Sequence, residues 1–183
     1  MNATLTLAEV RKYLKERGGS GEFSHGSHTP NGEFCVMEFA SQLHKEEWTD
    51  HPKSYDPAWA AFCRVINDAT WPDNKTRTKE CLPLLLCGLK GTLPKDFAAK
   101  LALRTIREIV PIAFEAAAKL HDKPEHQKSL RDHAKKLKAV TDLSAAESAA
   151  WSAAESAESA AESAAKVKIY KRIIAIAIEE ATA

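Results

Sequence analysis

Apolar residues recur at helical spacing along most of the chain, in stretches separated by short polar breaks. The first stretch begins with Thr6 and Glu9 in the positions of a capping box and continues through Val10 and Leu14, which predicts a helix. Further helices are predicted from about 33 to 43, from Pro57 behind an Asp56 cap, from about Asn74, from Pro94 with an interruption at Pro111, and from Pro124 to Val140. The chain is therefore predicted to be all-α.

Two segments interrupt this pattern. Residues 18–32 carry Gly, Ser, His, Pro and Asn-Gly with almost nothing to bury, so we expect a mobile surface loop there. Pro83 lies within a Leu-rich run and lacks a backbone donor, so the helix that contains it should kink or restart.

A low-complexity repeat of A-A-E-S units, with one three-residue step, runs from Ala145 to Ala165. The 4-4-3 succession from Ala149 to Ser159 is an eleven-residue unit, which is typical of a nearly straight helix. The repeat carries four glutamates and no Lys or Arg, whereas the preceding helix is basic through Lys128, Arg131, Lys135, Lys136 and Lys138. We therefore predict a compact helical domain over residues 1–122 and, over 123–183, an antiparallel hairpin of the lysine-rich and alanine-rich helices.

The segment after the repeat is apolar on two faces. Val167, Tyr170 and Ile174 have heptad spacing, while Ile169 and Ile173 lie on the other side. Such a helix has to be buried on both faces, by the main domain or by a second chain. The alternation of isoleucines at 174, 176 and 178 leaves a strand as the lesser alternative. The candidate partner contacts are Trp151, Tyr170 and Ile174.

Composition narrows the possible partners. The 183 residues include 26 Lys and Arg against 25 Asp and Glu, for a formal charge of +1, which argues against a general affinity for nucleic acid or anionic membranes. No apolar run is long enough for a membrane span, and no signal peptide is evident at the N-terminus. These features predict a cytoplasmic protein without a membrane anchor. The four scattered cysteines are predicted to be buried free thiols.

The sequence contains no phosphate-binding glycine loop, nucleophile elbow or zinc-ligand spacing, which argues against the familiar enzyme classes. No cofactor is predicted. Its richest polar grouping combines Glu38 in the second helix, Asp50 and His51 in the next loop, and Asn67 and Asp68 at the end of the third helix.

That grouping allows three roles. The three carboxylates and His51 could bind a divalent metal. Alternatively, Glu38 and His51 could be an acid/base couple. In a purely structural role, Asp50 caps a turn, Asn67 and Asp68 end a helix, and Glu38 binds loop amides.

Four short motifs follow one another in this region: C-V-M-E at 35–38, W-T-D-H-P at 48–52, A-A-F at 60–62 and N-D-A at 67–69. In this order and spacing they resemble a poorly characterised family of actinobacteria and their phages, over roughly residues 33–93. Alanine-rich A-A-W-S-A-A repeats also occur in such proteins. The family pattern often has a cysteine three residues after the histidine, where this chain has Ser54. The resemblance implies a shared polar cluster and a phage or mobile-element setting, without an activity.

The leading functional hypothesis is a helical binding or interaction protein that oligomerises or captures a partner protein through its C-terminal helix. The alternative is a small metal-dependent or acid/base enzyme that acts on a nucleotide-like substrate through Glu38, Asp50, His51 and Asp68. In a third interpretation, the alanine-rich helix is only a scaffold that folds back on its own chain.

Overall fold

A computed structural model describes residues 5–17, 20–26, 28–30, 32–142 and 163–183, with side chains of the last helix from residue 166 onward. This part of the chain is all-α, as predicted, and its only β-type pairing is an isolated bridge between Tyr55 and Leu89. The helices are α1 (Leu7–Glu16), α2 (Val36–Leu43), α3 (Pro57–Asn67), α4 (Asn74–Cys81), a 3-10 helix (Leu82–Leu86), α5 (Phe97–Arg104), a π-helical turn (Thr105–Ile109), α6 (Val110–Leu120), α7 (Pro124–Lys138) and α8 (Ser163–Thr182). None of the described helices combines the length and apolar content that a bilayer crossing requires.

The chain divides into two compact units, Met1–Pro94 with Ala181–Ala183, and Lys95–Glu180. The sequence placed the division near residue 122 instead. In the structure α6 and α7 pack against each other within the second unit, because they share an apolar core.

Local chemistry sets the predicted helix starts. The Thr6 hydroxyl accepts a hydrogen bond from the Glu9 amide, and the Glu9 carboxylate accepts one from the Thr6 amide at 2.8 Å, which confirms the capping box. The Asp56 carboxylate accepts from the Ala58 amide at 2.9 Å, with Pro57 as the first residue of α3. The restart expected at Pro83 is also confirmed, since α4 passes there into the 3-10 helix.

The first unit has an aromatic core that includes a loop residue. The rings of Phe23, Phe34 and Phe39 lie 5.6 to 5.9 Å apart, centroid to centroid, and all three side chains are buried. The prediction that residues 18–32 have almost nothing to bury is therefore wrong at Phe23. A single aromatic in a polar segment produces no periodic signal, although its burial anchors the segment to α2.

The second unit has its own core between α6 and α7, formed by Phe114, Ala134 and Leu137. The interruption expected at Pro111 takes the form of the π-helical turn just before it, a change of winding that lets a helix accommodate the missing donor. At the helix surface, Lys138 pairs with Glu115 of α6 at 2.6 Å. The predicted hairpin of α7 with the alanine-rich repeat, and the candidate contact Trp151, lie outside the described residues.

The C-terminal segment is helical through Thr182, so the strand alternative is wrong. Ile174, Ile176 and Ala177 are buried. Within the second unit, Arg104 forms ion pairs with Glu108 and with Glu179 and Glu180 of α8, and Arg172 of α8 pairs with Glu108 and Glu179. The candidate partner contact Ile174 is thus only 5% exposed, whereas Tyr170 is half-buried.

Candidate functional site

The predicted polar residues fall into two separate arrangements in the first unit. Glu38, Asn67 and Asp68 belong to a buried network around the loop that precedes α2. Asp50 and His51 instead lie at a cleft beside α3. Within the described part of the chain, no hydrogen bond or ion pair joins Glu38 to His51, so the arrangement does not bring together the acid/base couple predicted from the sequence.

The Glu38 carboxylate is buried and receives three hydrogen bonds. Its Oε2 accepts from the Cys35 amide at 2.8 Å and lies 2.9 Å from His28 Nδ1, while its Oε1 accepts from the His28 amide at 2.6 Å. The Glu38 amide in turn donates to Cys35 Sγ at 3.4 Å, which completes a capping box at the start of α2. Glu38 thus binds loop amides, and these donors compensate the burial of its charge.

His28 is the functional candidate that sequence reasoning missed. Its Nδ1 faces Glu38 and its Nε2 lies 2.9 Å from the Ser24 hydroxyl, while the Trp48 indole donates to the His28 carbonyl at 2.9 Å. With Nδ1 protonated toward the carboxylate, Nε2 can accept the Ser24 hydroxyl proton, for which the Phe34 carbonyl at 3.4 Å is the competing acceptor. A carboxylate, imidazole and hydroxyl in this order can orient an imidazole as a base. Ser24, however, is only 4% exposed.

Asn67 and Asp68 hold the same loop from the end of α3. Asn67 is fully buried; its Oδ1 accepts from the Val36 amide at 3.2 Å and its Nδ2 donates to the Ser24 carbonyl at 2.8 Å. Asp68 accepts from the Gly26 amide at 2.8 Å. These contacts join the loop, the start of α2 and the end of α3.

Arg77 of α4 also binds this loop. Its Nε donates to the Asn67 carbonyl at 2.8 Å and its Nη1 to the Phe23 carbonyl at 3.4 Å. The neighbouring Thr78 hydroxyl accepts from the Phe23 amide at 2.6 Å. Because most of these hydrogen bonds hold backbone groups of the loop before α2, the network supports a fastening role most directly.

The second arrangement is an open cleft that faces solvent. His51 Nδ1 lies 2.6 Å from Asp50 Oδ1, Arg64 Nη1 donates to the Asp50 carbonyl at 2.8 Å, and Arg64 Nε lies 3.8 Å from Asp50 Oδ2. The cleft has a volume of about 340 Å³, and its walls are formed by His51, Pro52, Lys53, Tyr55, Pro57, Ala60, Arg64 and Lys90.

Backbone pairing builds the wall of this cleft. The Lys90 amide donates to the Ser54 carbonyl, and the Asp56 amide donates to the Gly88 carbonyl, both at 2.8 Å. Gly88 has a φ of +76°, and a Cβ placed on it would lie 2.0 Å from Cγ of Trp59. Only glycine therefore allows the segment after the 3-10 helix to run this close to α3.

Glu46 stabilises the loop on the other side of the cleft. Its carboxylate accepts from the amides of Lys53 at 2.6 Å and Ser54 at 2.8 Å. Although partial burial alone would raise it, these hydrogen bonds bring the pKa of Glu46 below its ordinary value. The carboxylate stays ionised at neutral pH and keeps the loop in place.

Metal binding and thiol chemistry each require a particular arrangement of side chains. No group of three or more His, Cys, Asp and Glu side chains there is arranged to hold a metal ion. The four cysteines are free, as predicted; Cys35, Cys63 and Cys81 are also buried as predicted, whereas Cys87 is half-buried. Burial raises the pKa of Cys35 and of Cys81 to about 12, and that of Cys63 well above its usual value, so these thiols are poor nucleophiles.

The motifs that resemble an actinobacterial and phage family map onto both arrangements. C-V-M-E contributes Cys35 and Glu38 to the network, and N-D-A contributes Asn67 and Asp68. W-T-D-H-P contributes His51 and Pro52 to the wall of the cleft, while its tryptophan donates to the His28 carbonyl. The family assignment itself stays a prediction. No protein-family profile, no curated protein and no solved structure matches the chain significantly.

Proposed function

We propose that the chain is a helical interaction protein and that a second copy of itself binds along α8. The observation that carries this proposal is the uneven burial of that helix. Ile174, Ile176 and Ala177 are buried, whereas Val167, Ile169 and Tyr170 at its start are only half-buried. The apolar stripe thus continues toward the start of α8 without being covered to the same extent.

The charges of α8 favour a second copy as the occupant. Its first half is basic, and its end is acidic at Glu179 and Glu180, of which Glu179 is 51% exposed. Two copies of α8 packed antiparallel about a two-fold axis over the length of the helix bring each basic half toward the acidic end of the other, where Glu179 and Glu180 also pair with arginines of their own chain. The basic residues are Lys166, Lys168, Lys171 and Arg172.

Self-association should appear in sedimentation velocity as a concentration-dependent rise in mass from monomer to dimer. The double substitution Val167→Gln with Tyr170→Gln should keep the chain monomeric, because it removes half-buried apolar surface while retaining good helix formers. Substitution is preferable to removal of α8, since the loss of the buried Ile176 would expose the core.

Leu120→Gln is the matched control for this experiment. Leu120 is 54% exposed at the end of α6, so the same kind of change there should leave the dimer intact. Circular dichroism should show equal helix content in all three proteins. A wild-type chain that stays monomeric at every concentration would overturn the proposal, as would a dimer that survives the double substitution.

An acid/base enzyme is the second candidate function, now centred on His28 in place of His51. It is favoured by one observation, the hydrogen-bonded series of Glu38, His28 and Ser24. We place the enzyme hypothesis second because Ser24 is buried, and a substrate has to reach its hydroxyl. The metal-dependent form of this hypothesis through Glu38, Asp50, His51 and Asp68 remains a proposal; elemental analysis of the purified protein tests it.

An activated Ser24 should react with a fluorophosphonate reagent, since the imidazole takes the hydroxyl proton as oxygen bonds to phosphorus and fluoride leaves. Mass spectrometry should then find the adduct on Ser24 in the native chain and not in His28→Ala. Ser20→Ala, which changes an exposed serine of the same loop, should not affect labelling. An unlabelled native chain would eliminate this function and leave fastening as the role of the network.

A further inference from the structure

We infer that the cleft beside α3 binds a small organic phosphate, up to the size of a nucleoside monophosphate. This inference concerns a different part of the molecule from the proposed self-association and does not depend on it. It is based on the charge, rigidity and shape of the cleft.

The charged side chains of the cleft wall are all cationic. Four of its eight residues, His51, Lys53, Arg64 and Lys90, carry nitrogen donors, and no carboxylate is among them. Within the described part of the chain, the ammonium groups of Lys53 and Lys90 form no ion pair or hydrogen bond. Three cationic side chains converge on this cleft although the whole chain has a formal charge of only +1. A local concentration of this kind attracts anions even without a global field.

The Asp50 carboxylate beside the cleft orients the donors and leaves some of them available. Asp50 binds one ring nitrogen of His51 through Oδ1, and its carbonyl binds one nitrogen of Arg64. Among the described residues, His51 Nε2 and Arg64 Nη2 have no hydrogen-bond partner. Asp50 thus preorganises two donors. When Asp50 and Glu46 are counted against Lys53, Arg64 and Lys90, a net charge of about +1 remains, and the cleft wall itself presents only cationic groups to an anion.

The loop that carries these donors is held rigidly. Its amides at Lys53 and Ser54 are bound by Glu46, and its carbonyl at Ser54 is bound by the Lys90 amide. Lys53 and Lys90 are therefore brought side by side from positions 37 residues apart in sequence. Preorganised donors bind an anion with less loss of conformational entropy than donors on a mobile loop.

The rest of the wall suits the organic part of the ligand. Pro52, Pro57 and Ala60 supply apolar surface, and Tyr55 lies among them. A volume of about 340 Å³ is at the lower end of the range for small-molecule sites. It accommodates a phosphate with one small ring system, whereas a polymer does not fit within it.

The inference can be tested by calorimetry and thermal unfolding, with AMP as the organic phosphate and with inorganic phosphate and adenosine as its two halves. AMP should bind and raise Tm, since a ligand of the folded state stabilises it. Inorganic phosphate should bind more weakly, and adenosine should bind weakest because it lacks the charge. Added salt should weaken AMP binding through screening.

The double variant Lys53→Gln with Lys90→Gln should lower AMP affinity about ten-fold or more. Both side chains are exposed, so folding should be preserved. Lys79→Gln, which removes an exposed lysine of α4 outside the cleft, should bind AMP like the wild type. The inference fails if AMP produces no heat and no Tm shift, if adenosine binds as well as AMP, or if the double variant retains full affinity. The Val167→Gln, Tyr170→Gln protein should bind AMP normally, which separates this result from that of the self-association test.

Discussion

Gly88→Ala should lower the free energy of unfolding by about 3–5 kcal/mol, the largest effect we expect from any conservative change in the first unit. The new Cβ would lie 2.0 to 2.4 Å from three atoms of the Trp59 indole. Trp59 is fully buried and its Nε1 donates to the Leu84 carbonyl at 3.1 Å. The indole therefore has no free space to move into, and the backbone has to shift instead.

Gly91→Ala provides the control for this prediction. Gly91 has a φ of +82°, close to that of Gly88, but a Cβ there would meet nothing within 4 Å. It should therefore cost only the strain of a left-handed alanine, about 1 kcal/mol. Urea unfolding of the two variants separates steric overlap from backbone strain, and equal losses would show that the contact with Trp59 is not the cause.

Gly88→Ala should also change the cleft, because Gly88 positions one of its walls. The Gly88 carbonyl accepts from the Asp56 amide, and Lys90 follows two residues later with its own bond to Ser54. A backbone shift at Gly88 would move Lys90 away from Lys53. Gly88→Ala should therefore bind AMP more weakly than Gly91→Ala under conditions where both are folded.

Glu38→Gln should lower the free energy of unfolding by about 2–4 kcal/mol. Glutamine has nearly the same shape as glutamate but offers one acceptor oxygen and one donor group. The carboxylate receives donors at both oxygens, from the amides of His28 and Cys35 and from His28 Nδ1. In either orientation the glutamine therefore points N–H at N–H, leaving at least one buried donor without an acceptor.

Glu33→Gln is the matched control, since it makes the same chemical change beside the same histidine. Glu33 is 69% exposed and lies 3.8 Å from His28 Nε2, so the change should cost about 0.5 kcal/mol or less. Thermal and urea unfolding give the comparison. A Glu38→Gln protein as stable as Glu33→Gln would mean that the buried network contributes little to the stability of the loop.

The predictions that were confirmed depend on neighbours in sequence. Thr6 with Glu9, Asp56 with Pro57, and Pro83 each act on backbone groups within one helical turn, so the residues themselves specify where helices begin or change. The sequence pattern predicts that α2 begins at about residue 33, three residues before its actual start at Val36. Cys35 is the cap there, and cysteine carries no strong N-cap preference by which the boundary could be recognised.

The sequence predicted part of the candidate site. Glu38, Asn67 and Asp68 stood out as polar side chains in apolar helices, and they do share one network. Short connections predict that α2 and α3 are antiparallel neighbours, with Asn67 and Asp68 at the end nearer Glu38 and the loop of Asp50 and His51 near the start of α3; the metal and acid/base hypotheses required these two groups to meet. In the structure Asp50 binds Arg64 and His51 instead, and His28 takes the place beside Glu38.

What the sequence alone determined is the all-α class, most helix starts and the burial of three of the four free thiols, since helical periodicity and capping act over three or four residues. What only the tertiary structure decided is which distant groups meet. Glu38 binds a histidine ten residues away, Asn67 binds the Ser24 carbonyl across 43 residues, and Lys90 binds Ser54. Such pairings follow from how helices and loops pack, because a polar side chain can be satisfied by many backbone groups and only the packed core selects one.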